Sequence, residues 1–394
     1  VTGIKWSRTA VFLVFVVFGL CISTWAVHIP SVQQRIGVSA GTLGTLLLLH
    51  GAGALIGMQV SGPLISRWGS ARISLIGAAA MCTTVTFPLV APSAPLVAGG
   101  LLLFGSACGV TDVAMNARAV TVEQEVGRPI MSAFHAVFSV GSVIGSLIGA
   151  AMLATNWTMW ATAAAIGCGC LLLTAITAPN LLSVPAEAMT ENKTTDEAGP
   201  VDRRRKRRHL VLLGALAFLL LLAEGCAMDW SSLHAQTHLG VPKALGALVF
   251  GAFVTAMTVG RFTADWVSAR KGPVWVVRWG GLLSAIGLGI VVASPLLPVT
   301  MFGWLVVGLG LSGGLPQVFS AAGNVRGASG TEFSRVVGAG YVALLAGPAI
   351  IGWLSELITL NLALLLPMAA ACLAALGAGA VRGEDVDTAA PLRA

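Results

Sequence analysis

This sequence predicts an all-α polytopic membrane protein, with twelve transmembrane helices in two pseudo-symmetric six-helix bundles. Three observations predict it. Of 394 residues, 56% are apolar and 10% charged, with mean hydropathy +0.87, whereas a soluble domain carries about 25% charge. The apolar residues fall into twelve runs separated by charged or Pro/Gly-rich breaks, and one helical crossing uses about 20 of them. The chain also echoes itself at nearly half its length.

Taken in order, the first six runs cover 9–29, 41–65, 73–92, 96–118, 130–153 and 157–178. The second six cover 209–230, 244–267, 274–294, 298–322, 335–354 and 361–381. The first run is too long for a signal-peptide core and has no cleavage site after it, so it reads as a retained signal anchor. Cytoplasmic loops of membrane proteins carry the Lys/Arg excess. With the N-terminus inside, only Arg35 and Lys243 of 23 basic residues fall outside. The expectation is a multi-pass protein of the cytoplasmic (inner) membrane with both termini cytoplasmic. The net charge of +7 then marks topology and implies no nucleic-acid partner.

The stretch from Pro179 to Arg208 is polar and charged, and includes the run Arg203-Arg204-Arg205-Lys206-Arg207-Arg208. Too few apolar residues are present to bury a core. The predicted organisation is an N-terminal bundle over 1–178, a cytoplasmic basic linker over 179–208, a C-terminal bundle over 209–381 and a cytoplasmic tail over 382–394. The seven cysteines show neither a paired framework nor a metal spacing, so disulfides and structural zinc are not expected.

The repeat is visible in two places. Gly62-Pro63-Leu64-Ile65-Ser66-Arg67-Trp68-Gly69 and Arg72 follow the second run; Gly260, Asp265, Arg270 and Lys271 follow the eighth, with opening glycines 198 positions apart. Asn116-Ala117-Arg118 ends the fourth run and Asn324-Val325-Arg326 the tenth, followed by Glu125 and Arg128, and by Glu332 and Arg335. Two six-helix units in the same order suit a parallel-repeat transporter, with its substrate site between them near the midplane.

These residues resemble the Major Facilitator Superfamily, whose loop motif is a glycine, then Asp-Arg, then Gly and a basic cluster. Ser66 stands where that family usually has Asp, and Trp266 where Arg is common. Within the family the chain looks most like the fucose:proton symporter branch, which carries an acid followed four residues later by Asn in helix four, here Asp112 and Asn116. A polar position in that branch's helix five matches His135. Its helix-one Asp has no counterpart in Trp25-Ala26-Val27-His28-Ile29-Pro30. The resemblance implies transport of a small solute, with proton symport.

Charged groups within a bilayer are costly, about 2.5–3.5 kcal/mol for Asp at a helix centre, and mark candidate sites. Asp112 shares a stripe with Gly105, Cys108, Gly109, Met115 and Asn116, at three- and four-residue spacing. It reads either as a proton-coupling carboxyl or as an acid locked into a structural hydrogen-bond cluster by Asn116 or His135. His135 at similar depth would complete a relay, or would simply pack. Glu224, about fifteen residues into its run and roughly opposite Trp25, is the second acid, placed to bind a proton or substrate or to close the outer gate with a partner from helix one. Asp229 is expected near the outer surface. Trp25, His50, Asn116, Trp230 and Gln317 are candidate substrate contacts; Gln317 follows Pro316 in a small-residue helix of the kind that lines transporter sites. Arg67, Arg72, Arg118, Glu125, Asp265, Arg326 and Glu332 gather at the cytoplasmic face as topology charges or as a gating network, and Arg261 is expected among them.

No Ser-His-Asp arrangement, phosphate loop or metal-ligand cluster is present in the sequence. Gly308-Leu309-Gly310-Leu311-Ser312-Gly313 spells a dinucleotide fingerprint but has no preceding strand. An enzyme is not expected, nor any cofactor or metal. The predicted function is alternating-access transport of a small polar or sugar-like solute by a monomer in the lipid bilayer, coupled to protons. The alternative is proton-driven efflux of amphipathic drugs or metabolites, suited by the sparse amides. A non-transporting receptor is a third reading, but it lacks an output domain.

Overall fold

A computed structural model of the chain describes residues 2–126, 130–182, 200–325 and 330–382. Among these, twelve helices are long and apolar enough to cross a membrane. Helices one to six are Thr2–Ile36, Ala40–Trp68, Ser70–Val90, Ala94–Val126, Met131–Ala154 and Met159–Leu181. Helices seven to twelve are Pro200–Leu239, Lys243–Lys271, Pro273–Ala293, Leu297–Gly323, Gly330–Leu357 and Leu360–Val381. Side-chain oxygens start three of them: Ser39 accepts from the Thr42 amide, Thr158 from Ala161 and Thr359 from Leu362. Each satisfies an N–H that the first turn leaves without an intrahelical partner.

Helices three, ten and twelve are interrupted, near Val85, Ser312 and Leu364. Proline lies three or four residues beyond each break, at Pro88, Pro316 and Pro367. A proline has no N–H to offer the carbonyl four residues back, so each helix loosens there. Side chains occupy two of the gaps: Thr86 Oγ1 donates to the Thr83 carbonyl at 2.6 Å and Ser312 Oγ to that of Leu309 at 2.7 Å.

Helix ends depart from the apolar runs. Helix one continues to Ile36 and helix seven to Leu239, because polar residues end a hydrophobic run without ending a helix. Helix seven also begins at Pro200, so the basic run stands on its first turns, ahead of the apolar run that starts at 209. Residues 183–199, Arg128, Arg326 and the tail from 383 onward lie outside the described residues, as does the side chain of Asp265.

The internal repeat has a register the sequence echo misses. Gly37 and Gly240 adopt φ of 66° and 65°, and Gly69 and Gly272 adopt 81° and 84°. Both pairs are 203 residues apart. Each is a tight turn between helices that only glycine enters without strain. The opening glycines of the motif, 198 apart, are therefore not structural counterparts; Gly57 answers Gly260, and Arg67 answers Arg270.

The halves meet mainly through helices two and eleven and through helices five and eight. The first contact is close: a Cβ on Gly352 would lie 2.5 Å from the Ala40 carbonyl oxygen, and one on Gly44 3.0 Å from the Ala349 Cα. These contacts lie toward the turns at Gly37 and Gly240, here termed the closed end. There the core contains residues of both halves, among them Trp25, Leu43, Leu47, Trp230 and Ile351. At the opposite end Val11, Phe15, Met115, Ala119 and Phe134 form a core of the N-terminal half alone. Exposed tryptophans ring both ends, Trp157, Trp160 and Trp353 at one and Trp68, Trp266 and Trp275 at the other, where indole suits the membrane–water interface.

Candidate functional site

At 1.5 Å of rise per residue, five helices deliver polar side chains to one depth. Counted from the closed end, Ser139 of helix five and Glu224 of helix seven lie about 22 Å down, Tyr341 of helix eleven about 24 Å, and Asp112 of helix four and Arg261 of helix eight about 27 Å. They form a polar layer between the halves. Asn116 Nδ2 donates to Asp112 Oδ1 at 3.1 Å and to its backbone carbonyl at 2.8 Å. Tyr341 Oη, from the other half, donates to Asp112 Oδ2 at 3.5 Å, and it also lies within electrostatic reach of Glu224.

Glu224 is ion-paired with Arg261 at 3.0 Å, their side chains only 14% and 25% exposed. Arg261 also donates to Ser139 Oγ at 3.0 Å across the interface. Asp112 thus has neutral partners from two helices, whereas Glu224 has a cation. With both acids ionised, these three charged groups sum to one negative charge.

His135 does not join Asp112. It is exposed, with its ring edge against Phe15, and it faces the Arg261 charge one turn from Ser139. Arg261 is the residue that sequence reasoning misplaced, for it belongs to this layer and not to the cytoplasmic face. Its glycine-arginine pair looked like a loop motif, but helix eight continues ten residues further, to Lys271.

Trp25, Trp230 and His50 lie about 14–16 Å from the closed end, above the polar layer. The two indoles are buried, and neither Nε1 has a hydrogen-bond partner among the described residues. His50 lies tilted against the Phe104 ring, centroids 5.0 Å apart, its Nε2 equally unpartnered among the described residues. Ser23, Thr24, His28, Ser231 and His234 on the same two helices, one and seven, also hold buried polar atoms without partners among the described residues. Gln317 accepts from Ser268 Oγ at 2.7 Å within the C-terminal half. Asp229 is half-buried, ten residues inside the end of helix seven.

The predicted cytoplasmic charges divide. Arg118 is buried and donates to Ser7 Oγ and the Leu181 carbonyl, tying helices one, four and six of its own half. Glu332 pairs with Lys206 at 2.9 Å within the C-terminal half. Arg67, Arg72 and Glu125 are exposed, Arg67 over the Trp68 ring. At the closed end Glu356 Oε1 accepts from the Gly41 amide at 2.9 Å and Trp353 Nε1 donates to Thr45 Oγ1 at 3.1 Å, both between halves.

Comparison with known proteins agrees with this architecture. The family model described as Major Facilitator Superfamily matches residues 10–237. An uncharacterised MFS-type transporter of Yersinia pestis is 34% identical over 357 residues, covering 89% of each chain. A point-mutant structure of the nucleoside transporter NupG superposes with TM-score 0.73 at 12% identity, covering 95% of this chain and 99% of that one. The transporter FucP in its outward conformation gives 0.65 at 14% identity, covering 95% and 98%. At such identities the two structures bear on the fold alone.

Proposed function

The chain belongs to the Major Facilitator Superfamily, and on that footing we propose that it carries a small polar solute together with protons by alternating access. The observation that carries this reading is Asp112, an acid between the halves whose partners among the described residues are neutral. Asp112 is the group that takes and releases the proton, because it is a carboxyl at the interface of the halves with partners from both and with no cation paired to it among the described residues. Glu224 and Arg261 hold a compensated pair that a polar substrate, with hydroxyl or charged groups, opens as it binds between them. His135 passes protons toward the cytoplasmic end.

Both termini are cytoplasmic in this reading, the membrane is the inner one, and the closed end faces outward. Trp25, Trp230 and His50 then roof the site, while Asn116 and Gln317 contact the solute. The unpartnered polar atoms of helices one and seven support alternation. An unsatisfied buried group costs about 1–3 kcal/mol, a penalty relieved when the outer end opens to water.

Two of the solved neighbours carry polar solutes by name, a nucleoside transporter and a fucose:proton symporter. Proteoliposomes offered nucleosides, sugars and amphipathic cations, with and without an acid-outside gradient, test the reading. Gradient-dependent accumulation of a polar solute is expected, and expulsion of a preloaded cation under that gradient would replace it with export.

A further inference from the structure

Cys21 of helix one, Cys82 of helix three and Cys170 of helix six converge in the core of the N-terminal half. Their sulfurs all lie within 4.8 Å of one another, and Cys21 Sγ is 4.0 Å from Cys82 Sγ. All three side chains are buried. The spacings 61 and 88 residues apart disclose nothing of this; only the packing of three helices does. Thr174 Oγ1, 3.8 Å from Cys82 Sγ, is committed to the Cys170 carbonyl at 2.8 Å. Among the described residues the clustered His, Cys and carboxylate ligand atoms are these three sulfurs.

Three sulfurs bonded to one ion at about 2.3 Å in a plane sit about 4.0 Å apart. The geometry points to a trigonal three-thiol site for a soft monovalent cation, of which cuprous ion is the natural candidate. Thiolates select soft metals, whereas imidazole and carboxylate suit harder ones. Zinc in structural sites is almost always four-coordinate, and the described residues bring no fourth His, Cys or carboxylate to the cluster. The charge balance suits the apolar setting. One cuprous ion displaces one proton from one thiol, forming a copper–sulfur bond and releasing the proton to solvent. The other two sulfurs donate lone pairs, and the site stays neutral. No electron is transferred. The bound ion would fasten helix one, which borders the polar layer, to helices three and six behind it.

The test uses the full-length protein, purified and kept reduced and anaerobic, in competition with a chromogenic cuprous chelator. One equivalent of copper per chain is expected, with sulfur neighbours alone by X-ray absorption. A variant with Ala or Ser at Cys108, Cys168, Cys226 and Cys372 should retain that equivalent. Cys82→Ala and Cys170→Ala should each lose it, along with the rise in unfolding temperature that copper gives the wild type. Should one alanine variant fail to fold, the other and the absorption spectrum decide. The assignment is overturned if the wild type leaves all copper with the chelator, if both alanine variants keep it, or if zinc binds more tightly than cuprous ion.

Discussion

Tyr341 Oη stands 3.5 Å from Asp112 Oδ2 and reaches it from the opposite half of the molecule. It is the only tyrosine in the chain. The bond is long, and it joins the acid to a helix of the other half, so under the proposed alternation it would break and re-form with each cycle. Tyr341→Phe removes the hydroxyl and keeps the ring. A net hydrogen bond is worth about 1 kcal/mol, so gradient-driven uptake should slow by about fivefold while the unfolding temperature stays close to the wild-type value. An unchanged uptake rate would show the contact to be incidental.

Asp112→Asn separates coupling from passage. The amide keeps the shape and fills the place between Asn116 and Tyr341, but it cannot bind and release a proton. Accumulation driven by an acid-outside gradient should disappear, while exchange of labelled for unlabelled solute at equal pH continues. Accumulation that survives the substitution would place the coupling elsewhere, with Glu224 next in line.

Glu224 and Arg261 give the opposite pattern in stability. Removing one member of a fully buried pair strands the other and costs about 3–5 kcal/mol, and this partly exposed pair should lie toward the lower end of that range. Glu224→Gln should therefore lower the unfolding temperature markedly. Replacing both, Glu224→Leu with Arg261→Met, should restore much of it, because well-packed apolar residues often match a buried pair. Transport should stay lost in the double variant. Thermal unfolding in detergent and flux in proteoliposomes read the two effects separately.

The legibility of this protein from sequence follows from what each signal encodes. The twelve spans were readable because bilayer thickness imposes about 20 apolar residues whatever the packing. Asp112 stood out for the same reason, as an acid within such a run. Where helices end was less readable, since Ser31 to Ile36 and Ser231 to Leu239 are polar yet helical. The repeat was mis-registered by five residues, because a shared glycine is a weak marker until its φ is known. Partners across the interface were not readable at all. Nothing local ties Tyr341 to Asp112 or Arg261 to Ser139, and each pairing depends on how two helices distant in sequence are placed against each other. The three clustered cysteines were hidden in the same way.

The closed end offers the sharpest mechanical prediction. Helices two and eleven touch there almost backbone to backbone, and Glu356 lies at the N-terminus of helix two, where a negative charge is favoured. A side chain at Gly352 has no room, since its Cβ would lie 2.5 Å from the Ala40 carbonyl oxygen. Gly352→Leu should therefore force the two helices apart and favour the state open at this end. Glu356→Gln should do so more weakly, by about 0.3–1 kcal/mol, the usual worth of a charge at a helix terminus. Gly62→Leu is the control, because nothing lies within 4 Å of a Cβ there. A cysteine placed at the buried Ser231, with Cys168 replaced by serine, reads the opening through its rate of modification by a membrane-impermeant maleimide. The rate should rise steeply in Gly352→Leu, modestly in Glu356→Gln and not at all in Gly62→Leu. Equal rates in all three would mean that this contact does not hold the end shut.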